Sequence, residues 1–312
     1  MKVYVAEGYA AGALAQLKSN RQITVLPEVE GCEALLIRSQ TKVDQALLDR
    51  LPDLKIVVTA TSGFDHIDWQ ACKKRKIVVS HTPTANADST AELTMFLMMA
   101  MLRHTLSQIQ NARGGKWRED IKRGEALSGR TLGIIGLGRV GSRVARLASA
   151  FGMKVVGHDP YVMPHVFEDG KIERMGLVEV LRMSEIVTLH VPLTKETKHL
   201  INQATLQEMA TSSYLVNCCR GAILDESEVL VALRENRLLG IALDVLEKEP
   251  PNVGNELLRH PRAIVTPHVG AFTRQAFENA SMAAVERLIQ FTKGTEVEDT
   301  LPLPTPWFEK LI

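Results

Sequence analysis

The strand-like run TLGIIG passes straight into Gly136, Gly138 and Gly141 (GLGRVG), then into SRVARLASAFG, whose apolar residues recur at helical spacing. The hexapeptide alone is a weak signal. Set between a strand and a helix it leaves few folds open, and it reads as a dinucleotide cradle. Gly136 permits the tight turn, Gly138 lets the backbone approach a pyrophosphate, and Gly141 lets helix and strand pack closely. Arg139 and Val140 offer amides at the positive end of the helix, where phosphate is favoured. Asp159 closes the next strand-like run, KVVGHD, about 20 residues further on. A carboxylate there hydrogen-bonds ribose hydroxyls and repels a 2′-phosphate. No Arg or Lys follows it closely, so NAD is the expected cofactor.

The rest of the chain has room for a second unit. Its 312 residues suit about two domains. Residues 1–100 alternate β-branched runs (KVYVAE, QITVL, EALLI, LKIVVTA, KIVVS) with helical patterns, and a second series runs on from TLGIIG. Such alternation predicts parallel strands with helical crossovers. The expected fold is α/β: two doubly wound parallel-sheet domains, a Rossmann NAD-binding domain inserted into a flavodoxin-like substrate domain. The expected bounds are 99–288 for the inserted domain, with 1–98 and 289–312 forming the substrate domain. One long helix is expected from Ser89 to Asn111, capped by Asp88 or Ser89, and a last helix from Arg274 to Lys293. The last helix is expected to return the Pro-rich tail to the N-terminal unit.

Composition narrows the function classes. A formal charge of +1 gives no electrostatic reason to expect nucleic acid or an anionic membrane as partner. The longest apolar run, AELTMFLMMAML, is too short for a membrane span. Cys32, Cys72, Cys218 and Cys219 show neither disulfide nor zinc spacing, and no export signal is visible, so a reducing cytoplasmic compartment and no metal are expected. Met95, Met98, Met99 and Met101 make the central helix apolar all round, as for a helix buried between domains or subunits. With the adjoining NARGGKWRED loop this suggests a symmetric homodimer.

Three residues after strand-like runs carry the chemistry expected of hydride transfer. Arg220 offers a planar fork of donors for a carboxylate and can polarise a carbonyl. His268 can donate a proton to a carbonyl oxygen and take it back in the reverse direction. Glu249 is the candidate partner that keeps the imidazole charged further up the pH scale. His66, His81, His104, His165, His199 and His260 read as structural. In the other half, Ser62 and Gly63 lie in a tight loop able to aim backbone N–H groups at an anion. Arg38, after EALLI, suits either a distal polar group of a substrate or a structural role.

These segments, TSGFDHID, TAE, GGKW, GLGRVG, HVPLTKET, NCCRGAILDE, ALDVLEKEP and TPHVGAFT, run in an order that resembles the D-isomer-specific 2-hydroxyacid dehydrogenase family over nearly the whole chain. The resemblance implies hydride transfer between NAD and C2 of a small 2-oxo or 2-hydroxy acid of the glyoxylate, hydroxypyruvate or 3-phosphoglycerate type. It implies substrate trapped as two domains close on a cleft. It selects Glu249 over Glu247, because the family acid stands directly before the first Pro. It places Asp244 at the nicotinamide, His190, Val191 and Pro192 at the adenine end, and Thr90, Cys218, Cys219, Arg220, His268 and Gly270 among further cofactor contacts. Thr59 stands where some relatives that take phosphorylated acids carry a basic residue. The chain departs from the family at Cys218 and Cys219, where a small residue usually precedes the Arg. They are either compact buried residues or a thiol acidified by Arg220. Alternatives sharing the motifs are an NAD-sensing corepressor-type interaction protein, a phosphite dehydrogenase, and a formate dehydrogenase, which places Gln at the position of Glu249.

Overall fold

A computed structural model describes residues 1–117 and 121–311, so part of the loop linked above to dimer formation, positions 118–120, lies outside the described residues. The chain divides into two compact units, Met1–Ser89 with Ala271–Pro304, and Thr90–Gly270 with Thr305–Ile312.

The first unit holds β1 (Lys2–Val5), β2 (Thr24–Val25), β3 (Ala34–Ile37), β4 (Ile56–Thr59) and β5 (Val78–Ser80). They pair in parallel in the order β2-β1-β3-β4-β5, the flavodoxin order. Every residue of β3 and β4 is buried, and all but Thr59 are apolar, as befits strands covered on both faces.

The second unit holds β6 (Thr131–Ile135), β7 (Lys154–His158), β8 (Glu173–Arg174), β9 (Ile186–Leu189), β10 (Ser213–Asn217), β11 (Leu238–Leu243) and β12 (Ala263–Val265). Their order is β12-β11-β10-β9-β6-β7-β8, again with every pair parallel. That is the Rossmann order extended by one strand, and it reverses direction between β6 and β9. The helix Arg139–Ala150 after β6 buries Gly141, Val144, Ala145 and Ala148, one stripe at helical spacing. Fully burying a side chain such as Val144 contributes about 1.5–3 kcal/mol.

Several expected boundaries move. The units divide at Ser89/Thr90 and Gly270/Ala271 rather than at 98/99 and 288/289. Packing gives the reason. Ala91, Met95 and Met98 belong to the apolar cluster around β6, whereas Ala280, Ala284, Val285 and Leu288 of the last helix, Arg274–Thr292, pack with Val3, Leu36, Ile56 and Val58. The Pro-rich tail returns to the first unit as far as Pro304, with Leu301 N–H donating to the Val79 carbonyl at 2.8 Å. From Thr305 it groups with the second unit, and Leu311 forms an antiparallel bridge with Thr194.

The long central helix is two, Ala87–Leu102 and Thr105–Arg113. His104 takes a left-handed φ of 50° between them, and the Leu102 carbonyl accepts the N–H of Glu125 at 3.0 Å. A Cβ on Gly124 would come 2.8 Å from the Cα of Arg103, so the returning chain lies hard against the break. Met95, Met98 and Met101 are buried and Met99 partly so, but Phe96 on the same helix stays 53% exposed. Among the described residues no helix is long and apolar enough to cross a membrane, and no group of His, Cys, Asp or Glu could hold a metal ion.

Candidate active site

The glycine turn and the residues Arg220, Glu249 and His268 belong to the second unit, at the carboxyl ends of its strands. Gly136 ends β6 with φ 92°, a value a side chain would strain. A Cβ there would lie 2.5 Å from the carbonyl oxygen of His190, and one on Gly141 would lie 2.0 Å from that of Gly136. Gly138 caps the following helix, and a Cβ placed on it meets nothing within 4 Å. Two glycines thus close the turn, while the third faces open space beside the first-turn amides, Arg139 and Val140 among them. First-turn N–H groups have no acceptor inside their own helix, which suits them to a diphosphate.

Asp159 holds this turn as well as marking the end of β7. Its Oδ2 accepts the N–H of Leu137 at 2.8 Å, and its Oδ1 accepts those of Tyr161 and Val162 at 2.8 and 3.2 Å. His190 lies beneath the turn, and its Nε2 pairs with the hydroxyl of Thr188 at 3.0 Å. Burial holds its pKa down at about 3, so the ring is neutral. Its Nδ1 has no hydrogen-bond partner among the described residues. It is the His190 backbone and Cβ that lie against the glycine turn, its Cβ 3.4 Å from where a Cβ on Gly141 would stand. Val191 approaches the same turn, since its Cγ1 would be 2.8 Å from a Cβ on Gly136, and the carbonyl of Pro192 accepts the hydroxyl of Thr197.

The three chemically active candidates come together. His268 Nδ1 lies 2.6 Å from Glu249 Oε2, and Glu249 Oε1 accepts the N–H of Leu246 at 2.9 Å. The hydrogen bond to Glu249 lifts the His268 pKa above the ordinary histidine value, against burial and the repulsion of Arg220. Burial pushes the Glu249 carboxyl up, but the bonds from His268 and Leu246 outweigh it, and Arg220 helps to hold it down. The charge of Arg220 thus acts on both partners. Arg220 follows β10, where Asn217 Nδ2 donates to the Arg220 carbonyl at 2.9 Å and Arg220 Nη1 donates to that of Cys219 at 2.7 Å.

Glu249→Gln keeps an acceptor for Nδ1 but removes its charge. The His268 ring protons, followed by NMR, are expected to titrate at lower pH in that variant; an unshifted midpoint would show the pair is not electrostatically coupled.

His268 is itself left-handed, with φ 54°. For a residue other than glycine, asparagine or aspartate this conformation costs energy and persists only where neighbours enforce it. Asp244 does so. Its carbonyl accepts the His268 N–H at 2.9 Å. Its buried carboxylate accepts from the Thr266 hydroxyl at 2.6 Å, Val269 N at 2.9 Å and Gly270 N at 2.7 Å. A Cβ on Gly270 would crowd Asp244 Oδ2 at 3.1 Å and Thr90 Oγ1 at 3.3 Å. Asp244 therefore organises the histidine loop, a role the sequence reading missed.

Gly221 was missed too. A Cβ there would lie 1.9 Å from the carbonyl carbon of Leu246, so only glycine lets the Arg220 turn lie against the loop that carries Glu249. Its place directly after Arg220 was the available signal. Glu226 secures that loop from the far side, accepting from Glu247 N and Asn255 Nδ2.

The cysteines settle toward the compact reading. Burial pushes the Cys218 thiol up to about 12 and that of Cys219 up to about 11, and the pull of Arg220 on Cys219 is smaller than the burial effect. Cys219 Sγ donates to Asn217 Oδ1 instead.

Arg38, Ser62 and Gly63 belong to the first unit. Arg38 N–H donates to Glu7 Oε1 at 2.9 Å, its guanidinium lies 4.8 Å from the Phe277 ring centroid, and its buried Nη1 has no partner among the described residues. The 61–63 loop is braced by Thr61 Oγ1 to the Gly63 carbonyl and by His81 Nδ1 at 2.8 Å from the Ser62 carbonyl. Thr59 is fully buried, with its hydroxyl against Thr61 and His66.

Comparison with known proteins identifies the family and the fold. Residues 95–270 match the family model for the NAD binding domain of D-isomer specific 2-hydroxyacid dehydrogenases. The chain is 40% identical over 277 residues to a D-3-phosphoglycerate dehydrogenase of Bacillus subtilis, covering 89% of this chain and 53% of that protein. It spans about half the length of the relatives it matches in this way. Among solved structures it resembles a glyoxylate reductase from Paecilomyes thermophila (TM-score 0.87, 28% identity, 96% and 98% of the two chains). It also resembles a D-lactate dehydrogenase from Aquifex aeolicus in complex with NAD and lactic acid (TM-score 0.85, 28% identity, 97% and 100%).

Proposed function

Since this chain belongs to the D-isomer specific 2-hydroxyacid dehydrogenase family, we propose that it catalyses reversible hydride transfer between NAD and C2 of a small D-2-hydroxy acid or its 2-oxo acid. The observation that carries this reading is the 2.6 Å His268–Glu249 pair with the charge of Arg220 acting on both members. Bound NAD would supply the hydride donor and acceptor at C4 of its nicotinamide. The chain's own residues do the rest. Arg220 binds the carboxylate with its planar fork and polarises the carbonyl. Glu249 occupies Nδ1 of His268, which leaves Nε2 as the nitrogen that gives its proton to the carbonyl oxygen. In oxidation the same nitrogen takes the proton from the hydroxyl.

Gly136, Gly138, Arg139, Val140 and Gly141 receive the pyrophosphate, and Asp159 the adenosine ribose. Asp159→Ala is expected to narrow the ratio of kcat/KM with NAD to that with NADP, and to weaken both by loosening Leu137. An unchanged ratio would assign discrimination to another residue. We assign Thr90, His190 to Pro192, Cys218, Cys219, Asp244 and Gly270 to the walls and supports of the same dinucleotide site. Ser62, Gly63 and Arg38 are assigned to substrate, a role supported for Arg38 by its buried, unpartnered nitrogen. The substrate class is glyoxylate, hydroxypyruvate or a 3-phosphoglycerate-type acid.

The test is NADH oxidation with a panel of 2-oxo acids. Turnover of at least one is expected. NADH binding without turnover of any would favour a sensing protein of the corepressor type. A symmetric homodimer in the cytoplasm completes the reading. Phe96, Leu106, Ile109 and Trp117, exposed by 53, 51, 43 and 77%, support such an interface. Light scattering that gives a monomer at micromolar concentration would exclude it.

A further inference from the structure

The sheet order places β6 between β7 and β9, so the loops after β7 and β9 flank the glycine turn on either side. In open α/β sheets a ligand lies in the crevice beyond the strand ends at such a reversal point. Side chains join across it. Tyr161, two residues past Asp159, donates its hydroxyl to Glu196 Oε2 at 2.8 Å. Lys310, from the C-terminal segment, donates to that hydroxyl at 2.8 Å and to Glu196 Oε1 at 2.7 Å, with Nζ 5.2 Å from the Tyr161 ring centroid.

The supports of this trio are firm on two sides. Thr194 is buried, and it exchanges hydrogen bonds with Thr197, whose hydroxyl reaches the Pro192 carbonyl. That fixes the turn bearing Glu196. The tail is tied to the same turn by Lys195 N to the Lys310 carbonyl at 2.8 Å and by the Thr194–Leu311 bridge, with Phe308 buried beside them. The ion pair at the centre is solvent-exposed. Exposed pairs are weak and screened by salt, so this contact can open and close at small cost.

We propose that Tyr161, Glu196 and Lys310 form a clasp over the adenosine end of the dinucleotide site, with the segment 305–311 as one of its walls. The inference rests on the NAD reading above. Ammonium and carboxylate cancel each other, so the clasp adds no net charge next to Asp159, and the tyrosine ring provides a flat surface suited to a purine. The clasp acts on retention of the cofactor and leaves proton transfer at His268 untouched.

Stopped-flow fluorescence of NADH on the intact protein, at low and at high salt, tests it. Lys310→Met keeps the aliphatic stem and removes the charge. It is expected to raise the NADH dissociation rate roughly two- to fivefold at low salt. Salt is expected to raise that rate in the unmodified protein and to leave the variant nearly unchanged. Glu196→Gln is expected to match Lys310→Met, and the double variant to add nothing. NADH binding with dissociation rates equal in all four proteins, or slower in the variants, overturns the clasp alone. An unmodified protein that binds no NADH overturns the cofactor reading and the clasp together.

Discussion

His268→Asn is expected to lower kcat for reduction of a 2-oxo acid by about 10²–10⁴-fold, the usual contribution of a positioned proton donor. Asparagine is the informative replacement. His268 has φ 54°, and asparagine tolerates the left-handed region better than alanine does, so the loop held by Asp244 keeps its course. Any loss then reports on the imidazole and not on a collapsed turn. The dissociation constant for NADH, measured by fluorescence, is expected to change far less than kcat. A variant that retains kcat would remove His268 from proton transfer.

Gly221→Ala is the second large effect, although residue 221 touches no substrate in the proposed reaction. Its Cβ would meet three backbone atoms of the next loop, the carbonyl carbon and oxygen of Leu246 at 1.9 and 2.0 Å and the nitrogen of Glu247 at 2.4 Å. None of them can rotate away as a side chain would. The Arg220 turn and the Glu249 loop must separate, and Glu249 is tied to that loop through Leu246 N–H. A displacement of about 1 Å in a catalytic group costs on the order of 10² in rate, so kcat/KM is expected to fall at least that far. Overpacking of this kind also costs about 1–3 kcal/mol of stability, which lowers Tm. Unaltered kcat/KM and Tm together would show that the two segments are not interlocked.

What the sequence disclosed was what neighbouring residues encode. The glycine turn, the strand runs around it and the acid before Pro250 are local patterns, and the structure brings Arg220, Glu249 and His268 together. The parallel order of both sheets followed from strand–helix alternation. Long-range contacts were not legible. The break at His104 depends on Glu125 reaching back to Leu102. Strand β8 is two exposed charged residues with no apolar signature. The unit boundaries follow from which core Met95 and Leu288 enter, which no local pattern states. Carboxylates were the subtlest omission. Asp244 and Asp159 announced themselves as acids at strand ends, but a sequence does not say which amides they already hold.

That last point bears on redesign. A carboxylate that carries three main-chain donors cannot be swapped for arginine to welcome a phosphorylated dinucleotide, because Leu137, Tyr161 and Val162 would all lose their acceptor. Conversion of coenzyme choice in this chain has to start from asparagine at that position, which keeps one oxygen for the main chain while shedding the anion, with the new cation introduced elsewhere.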